Sequence, residues 1–121
     1  MLNHKYIILD RDGVINHDSS AYIKNPQEWR PIKRSLEAIS LLTKNSYRIL
    51  LLSNQAGVSR GIIKYEDIIQ IHNKLISNCA EHGGKIFSTH YCYDHPDSNS
   101  TKRKPQPGMY LEIADRLGIN L

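Results

Sequence analysis

The sequence predicts an α/β fold, a Rossmann-like parallel sheet with flanking helices. Three short apolar runs, each stopping at a polar cluster, alternate with stretches whose apolar residues recur at helical spacing. That alternation reads as consecutive strand–helix–strand units, which build parallel sheets. Ligands in such sheets bind at the carboxyl ends of the strands. Here those ends carry carboxylates, hydroxyls and amides.

The first strand is Lys5-Tyr6-Ile7-Ile8-Leu9, an apolar, β-branched run that stops at Asp10. A polar stretch over 11–33 follows, where Pro26 and Pro31 exclude a long helix. From about Ser35, which can cap, Leu36, Ile39, Leu42 and Thr43 keep helical spacing. Tyr47 to Leu52 is the second strand, ending at Ser53-Asn54-Gln55. After a glycine-bearing loop over 56–61, Ile68, His72, Leu75, Ile76 and Cys79 mark one face of a long helix that Gly83-Gly84 terminates. Ile86 to Tyr93 is the third strand, and 94–106 a polar loop with prolines. Pro107 then opens a last helix with Met109, Leu111, Ile113, Ala114 and Leu117 on its apolar side and Gly118 as its stop.

A chain of 121 residues is the size of one domain, and 40% hydrophobic with 23% charged residues is ordinary for a globular protein. The longest clean apolar run, Ile49 to Leu52, falls far short of the about 18–20 residues of a membrane span. Met1 to Lys5 runs directly into the first strand without a signal-peptide layout, so a cytoplasmic protein is expected, and Cys79 and Cys92 fit that compartment. The formal charge of +4 and a pI near 9.1 suit a phosphorylated substrate. The cations are scattered except for Lys102-Arg103-Lys104, and one Phe and one Trp offer little for stacking bases, so neither nucleic acid nor membrane is expected as a partner.

Asp10-Arg11-Asp12-Gly13-Val14 is the most informative segment. Two carboxylates two residues apart, leaving a strand, can both face one pocket once the chain turns into a loop. Asp10 then suits an oxygen nucleophile and a ligand for a hard cation such as Mg²⁺. Asp12 suits a general acid and base, and Gly13 lets backbone approach a phosphate closely. Ser53 and Asn54 can donate hydrogen bonds to phosphoryl oxygens. Lys104 offers a compact cation against the phosphoryl group, and Arg103 a bidentate fork for a second anionic group.

The order Asp10-x-Asp12-Gly13-Val14, Ser53-Asn54, Lys104 resembles the first three motifs of the haloacid dehalogenase-like phosphatases. More closely, the segments from Leu9 to Asn16, Ser53 to Gly61 and Arg103 to Met109 look like the D-glycero-D-manno-heptose 1,7-bisphosphate phosphatases and the related histidinol-phosphate phosphatases. The resemblance runs along the whole chain. It implies hydrolysis of a phosphomonoester on a small sugar phosphate, with Asp10 as nucleophile and Asp12 as acid and base. It further implies Mg²⁺ held by Asp10 and the Asp12 backbone carbonyl, and a phosphoryl group stabilised by Ser53 and Lys104. Substrate contacts are implied for Arg11, for Asp18, Ser19, Ser20 and Ala21, for Asn54, Gln55 and Ala56, and for Arg103. A minimal cap is expected as well, and a monomer when the protein is full length.

Two departures qualify the resemblance. These phosphatases commonly carry a zinc loop after the third strand, but here Asp94, Ser100 and Lys102 stand at three of the four ligand positions, leaving Cys92 and His95 with Asp94 and Asp97 in reserve. No zinc is expected. His17 and His90 lack ligand-like partners. The family's fourth motif, a further acid for Mg²⁺, should follow a strand beginning beyond Leu121, so the chain is expected to be incomplete at its C-terminus, with the last strands of the sheet missing; the alternatives to a heptose bisphosphate phosphatase are a histidinol-phosphate phosphatase and a non-catalytic phosphate-binding or interaction fragment that lacks this motif.

Overall fold

The computed structural model of the chain describes residues 4–120. The expectation about a leader segment therefore rests partly on positions 1–3, which lie outside the described residues, as does Leu121. Strands β1 (Lys5–Leu9), β2 (Tyr47–Asn54) and β3 (Ser88–Cys92) form a parallel sheet in the order β1-β2-β3. Helices α1 (Lys33–Lys44) and α2 (Tyr65–Glu81) connect them, and α3 (Gly108–Leu117) follows. The expected fold class is present. Among the described residues, the interval between Asn54 and Lys104 holds only α2 and β3 as regular elements, which leaves no room for a large cap.

The central strand organises both layers. Ile49, Leu50, Leu51 and Leu52 are all fully buried, and successive strand residues face opposite sides of a sheet. Ile49 and Leu51 enter a cluster with Leu36 and Ile39 of α1 and Ile71, Leu75 and Cys79 of α2. Leu50 and Leu52 enter a second cluster with Cys92 and with Met109 and Ile113 of α3. Two helices thus cover one face and one helix the other, as a parallel sheet buried on both sides requires.

The stretch over 11–33 is less polar than its composition suggests, because Ile15, Ile23 and Trp29 all enter the first cluster. Its only helical piece is a 3-10 turn, Pro26–Glu28, where the Asn25 carboxamide oxygen accepts from the Glu28 N–H. Lys74 of α2 reaches across to donate to the carbonyls of Pro26 (2.7 Å) and Trp29 (2.8 Å), with its ammonium 5.7 Å from the indole. A buried loop needs such donors for its backbone.

Several boundaries and faces differ from the sequence reading. Ser35 does not cap α1: the helix begins at Lys33, and the Ser35 hydroxyl donates to the Val14 carbonyl at 2.5 Å. Pro107 is the cap of α3 and Gly108 its first residue. On α2 the buried line is Ile68, Ile71, Leu75 and Cys79, while Ile76 is exposed. At about 100° per residue Ile76 stands about 80° round from Ile68, off the buried arc. Leu111 is exposed for the same reason, about 200° from Met109. The helix stops fall where expected. Gly83 and Gly118 both have left-handed φ, and the Gly84 N–H returns to the Cys79 carbonyl.

Gly108 fixes the approach to α3. Its N–H donates to the Thr101 carbonyl at 2.8 Å, and a Cβ placed on it would lie 2.3 Å from that same backbone oxygen. Gly108→Ala should therefore displace the segment carrying Arg103 and Lys104 and destabilise the protein by about 1–3 kcal/mol, the range for overpacking. Urea unfolding measures this; an unchanged midpoint contradicts the close approach.

Candidate active site

The first strand hands its chain directly to the site. Asp10 follows Leu9 at the carboxyl end of β1, and its Oδ1 accepts from the Arg11 N–H at 2.7 Å. Gly13 has φ +82°, a conformation L residues rarely adopt, and its N–H donates to the Asn16 carbonyl. That turn brings Asn16 back beside Asp12. The Asp12 carboxylate accepts from Arg11 Nε (2.8 Å) and Asn16 Nδ2 (3.1 Å) at Oδ1, and from Arg11 Nη2 (3.3 Å) and Gln55 Nε2 (3.1 Å) at Oδ2. Burial alone would push its pKa up. The Arg11 guanidinium and the hydrogen bonds from Arg11, Gln55 and Asn16 outweigh burial and hold it below the usual carboxylate range.

The second strand supplies the opposite wall. Ser53 is buried, and its Oγ accepts from Gln55 Nε2 at 2.9 Å. The Asn54 carboxamide brackets the Lys104 backbone, Nδ2 donating to the Lys104 carbonyl (3.1 Å) and Oδ1 accepting the Lys104 N–H (3.0 Å). Lys104 then turns its side chain inward: Nζ donates to the Leu52 carbonyl (2.9 Å) and lies 3.1 Å from Asp10 Oδ2. Residues from the ends of β1 and β2 and from the loop after β3 thus line or touch the space around Asp10.

A cavity of about 370 Å³ opens here, lined by Asp10, Asp12 and Ser53 with Asp18, Ser19 and Ser20 of the preceding loop. Tyr22, Asn54 and Gln55 complete the lining. Arg103 instead lines a neighbouring cavity of about 350 Å³ with Ser100, Thr101 and Lys104. Three residues expected to touch substrate lie off this wall. The Arg11 side chain is fully buried and faces Asp12 and the ring of Tyr91, 5.6 Å away, because the chain turn points it into the interior. Ala56 is buried behind the wall, and Ala21 is exposed outside it. Asn54 and Gln55 line the cavity, yet their amides are engaged with Lys104 and Asp12.

Sequence reasoning missed Asn16, Tyr22 and Tyr91. Asn16 is fully buried and holds Asp12, and Tyr22 sits at φ +68° on the cavity wall. The Tyr91 hydroxyl is hydrogen-bonded to His72 Nδ1 at 2.9 Å. Burial, and then the Arg11 charge, holds His72 below its ordinary pKa. Asn16 stood in the quoted first segment; the two tyrosines carried no signal. Cys92 ends β3 inside the second core cluster, while Asp97 N–H donates to His95 Nδ1 and the Ser100 hydroxyl to Asp94. The loop's polar residues are thus bonded to one another.

For a hard cation the donors fit in type. Asp10 is partly open to the cavity, and no described residue donates to the Asp12 carbonyl, which leaves two oxygens for an ion that prefers oxygen. Among the described residues no cluster of three or more His, Cys, Asp or Glu stands ready to hold a metal.

The polynucleotide kinase 3 phosphatase family model matches residues 5–119. D-glycero-beta-D-manno-heptose-1,7-bisphosphate 7-phosphatases of Bordetella bronchiseptica and Pseudomonas putida are 42% and 43% identical over 117 residues, 97% of this chain. The chain spans 65% and 67% of their lengths. The crystal structure of the B. bronchiseptica D,D-heptose 1,7-bisphosphate phosphatase, complexed with magnesium and phosphate, superposes with a TM-score of 0.94 over 97% of this chain and 65% of that one. The Burkholderia thailandensis phosphatase of the same name, 32% identical, gives 0.66 over 95% and 59%. Matched in sequence and in fold along nearly its whole length, the chain belongs to the polynucleotide kinase 3 phosphatase family of haloacid dehalogenase-like proteins.

Proposed function

We propose that this chain carries the nucleophile and phosphoryl pocket of a magnesium-dependent phosphomonoester hydrolase whose substrate is a small sugar phosphate, D-glycero-D-manno-heptose 1,7-bisphosphate first among them. The carrying observation is the Lys104 ammonium 3.1 Å from Asp10, with Asp12 and Ser53 lining the same cavity. The names and the magnesium–phosphate complex of the relatives support the substrate and the ion. Asp10 and the Asp12 carbonyl would hold the ion, with the rest of its shell from water, phosphate or groups outside the described residues. When bound, the ion supplies charge neutralisation for a phosphoryl group and a carboxylate that would otherwise repel.

In this reading an Asp10 oxygen attacks phosphorus, the bond from phosphorus to the sugar oxygen breaks, and Asp12 gives its proton to that oxygen. Water then attacks the aspartyl-phosphate, Asp12 takes the water's proton, and the bond from phosphorus to Asp10 breaks to release phosphate. Resting Asp12 is in the ionised form that the second step needs. A bound phosphate dianion raises its proton affinity for the first. Ser53 and Lys104 donate to the phosphoryl oxygens as charge develops. A polynucleotide substrate fits less well: it would call for stacking aromatics along a cationic groove, and among the described residues Tyr22 is the one aromatic lining the cavity.

Phosphate release by the intact protein with Mg²⁺ should favour the heptose bisphosphate over histidinol phosphate; the reverse preference overturns the substrate assignment. Asp10→Asn should abolish turnover while inorganic phosphate still binds, and activity within tenfold of the parent removes Asp10 from the nucleophile's role. Lys104→Met should lower kcat by roughly 10²–10³, the range for losing one preorganised donor, as read by steady-state kinetics. Arg103→Ala should weaken kcat/KM on the bisphosphate by roughly 1.5–3 kcal/mol, the value of a charged hydrogen bond, and spare a small monophosphate. Equal losses on both would place Arg103 on the transferring group.

A further inference from the structure

Arg11 is a buried charge that the reaction scheme leaves unused. Its side chain is fully inaccessible, it points away from the cavity, and its Nη1 is buried without a hydrogen-bond partner among the described residues. Removing a guanidinium from water is costly, and a buried ion pair is a weak source of stability. An incompletely satisfied one is weaker still. Retaining it therefore calls for a role beyond holding the fold.

The geometry around it supplies one. Arg11 grips Asp12 as a fork, with Nε at 2.8 Å from Oδ1 and Nη2 at 3.3 Å from Oδ2. Oδ1 also takes Asn16 Nδ2, so it is the more tightly anchored oxygen. Oδ2 has the longer Arg11 contact and shares Gln55 Nε2 with Ser53 Oγ, which places it on the Ser53 side of the cavity. Behind the guanidinium lies the Tyr91 ring at 5.6 Å, itself fixed by the hydrogen bond to His72 and an edge-on contact with that imidazole at 5.6 Å. The fork thus has a floor, and the floor has an anchor on α2.

We propose that Arg11 is a positioning residue, floored by Tyr91, that fixes Asp12 by Oδ1 and presents Oδ2 as the oxygen that gives and takes the proton. This deepens the reading above and rests on Asp12 serving as acid and base. A fork specifies an angle as well as a distance, whereas a lysine at the same place would supply charge without orientation.

Leaving-group dependence separates positioning from support. An alkyl phosphate needs a proton delivered to its departing oxygen, and p-nitrophenyl phosphate, whose phenolate departs readily, does not. In the intact protein with Mg²⁺, Arg11→Met should slow the single-turnover release of the sugar product by about 10²-fold, at the low end for losing general acid catalysis. Its single-turnover burst of p-nitrophenolate should stay within about threefold; hydrolysis of the aspartyl-phosphate, where Asp12 acts as base, is common to both substrates and lies outside this readout. Arg11→Lys should recover part of the loss on the sugar phosphate alone, and it carries the test by its own differential should Arg11→Met fail to fold. Equal losses on both substrates, or none, overturn the proposal. Asp12→Asn is the control: a differential there but not in the Arg11 variants overturns the positioning role alone. No differential in Asp12→Asn overturns the acid role, and this proposal with it.

Discussion

The paired hydrogen bonds between the Asn54 carboxamide and the backbone of Lys104 are the contact on which the site depends. They join residues 50 positions apart and fix the loop after β3 against the end of β2. With the backbone held, the lysine's stem has one short route inward, ending between the Leu52 carbonyl and Asp10. A flexible ammonium on a wandering loop would spend its charge on water. Bracketed this way it becomes a fixed element of the cavity wall, which is what electrostatic stabilisation requires.

Asn54 and Gln55 follow one another at the end of the central strand and act in opposite directions. Asn54 reaches toward the loop that carries the lysine, and Gln55 reaches toward the turn that carries the acid. That split follows from strand geometry, where neighbours face opposite sides. The strand end therefore sets the relative positions of cation, hydroxyl and carboxylate at once. Both flanking loops are referenced to the same rigid base, because β2 is packed from two sides.

Much of this was legible in the residues, for physical reasons that differ by element. The strands were readable because a central strand buried on both faces must be an unbroken apolar run, and Ile49 to Leu52 is one. Helix stops were readable because Gly83 and Gly118 occupy backbone conformations that few other residues accept. Helix starts were not, since α1 and α3 begin without a side-chain cap and leave nothing for a cap signal to find. Asp10, Asp12, Ser53 and Lys104 stood out as chemistry-bearing types at strand ends, and the cavity does collect the first three with Lys104 on Asp10. Arg11 was placed among the substrate contacts by the resemblance alone, and its side chain instead faces the interior. Whether a side chain leaves a turn inward or outward depends on the turn's dihedral angles, and a one-letter code does not carry them. Tyr91 was hidden for a related reason: on β3 its apolar role and its placement under Arg11 emerge only when strands pair.

The double-sided burial of β2 also limits how relatives with this architecture can diverge. Each of its four central side chains is committed to one core or the other, so a change there is felt in packing on α1 and α2 or on α3. Little freedom remains in the strand to reshape the cavity wall it carries. The loops over 17–22 and 94–100 are in the opposite position. They are largely exposed, they rim the two cavities, and their side chains mostly bond locally. Variation can accumulate in them at small cost to the fold. Differences among relatives should therefore gather in the loops, while the cavity wall at the end of β2 stays fixed by a strand that cannot move with them.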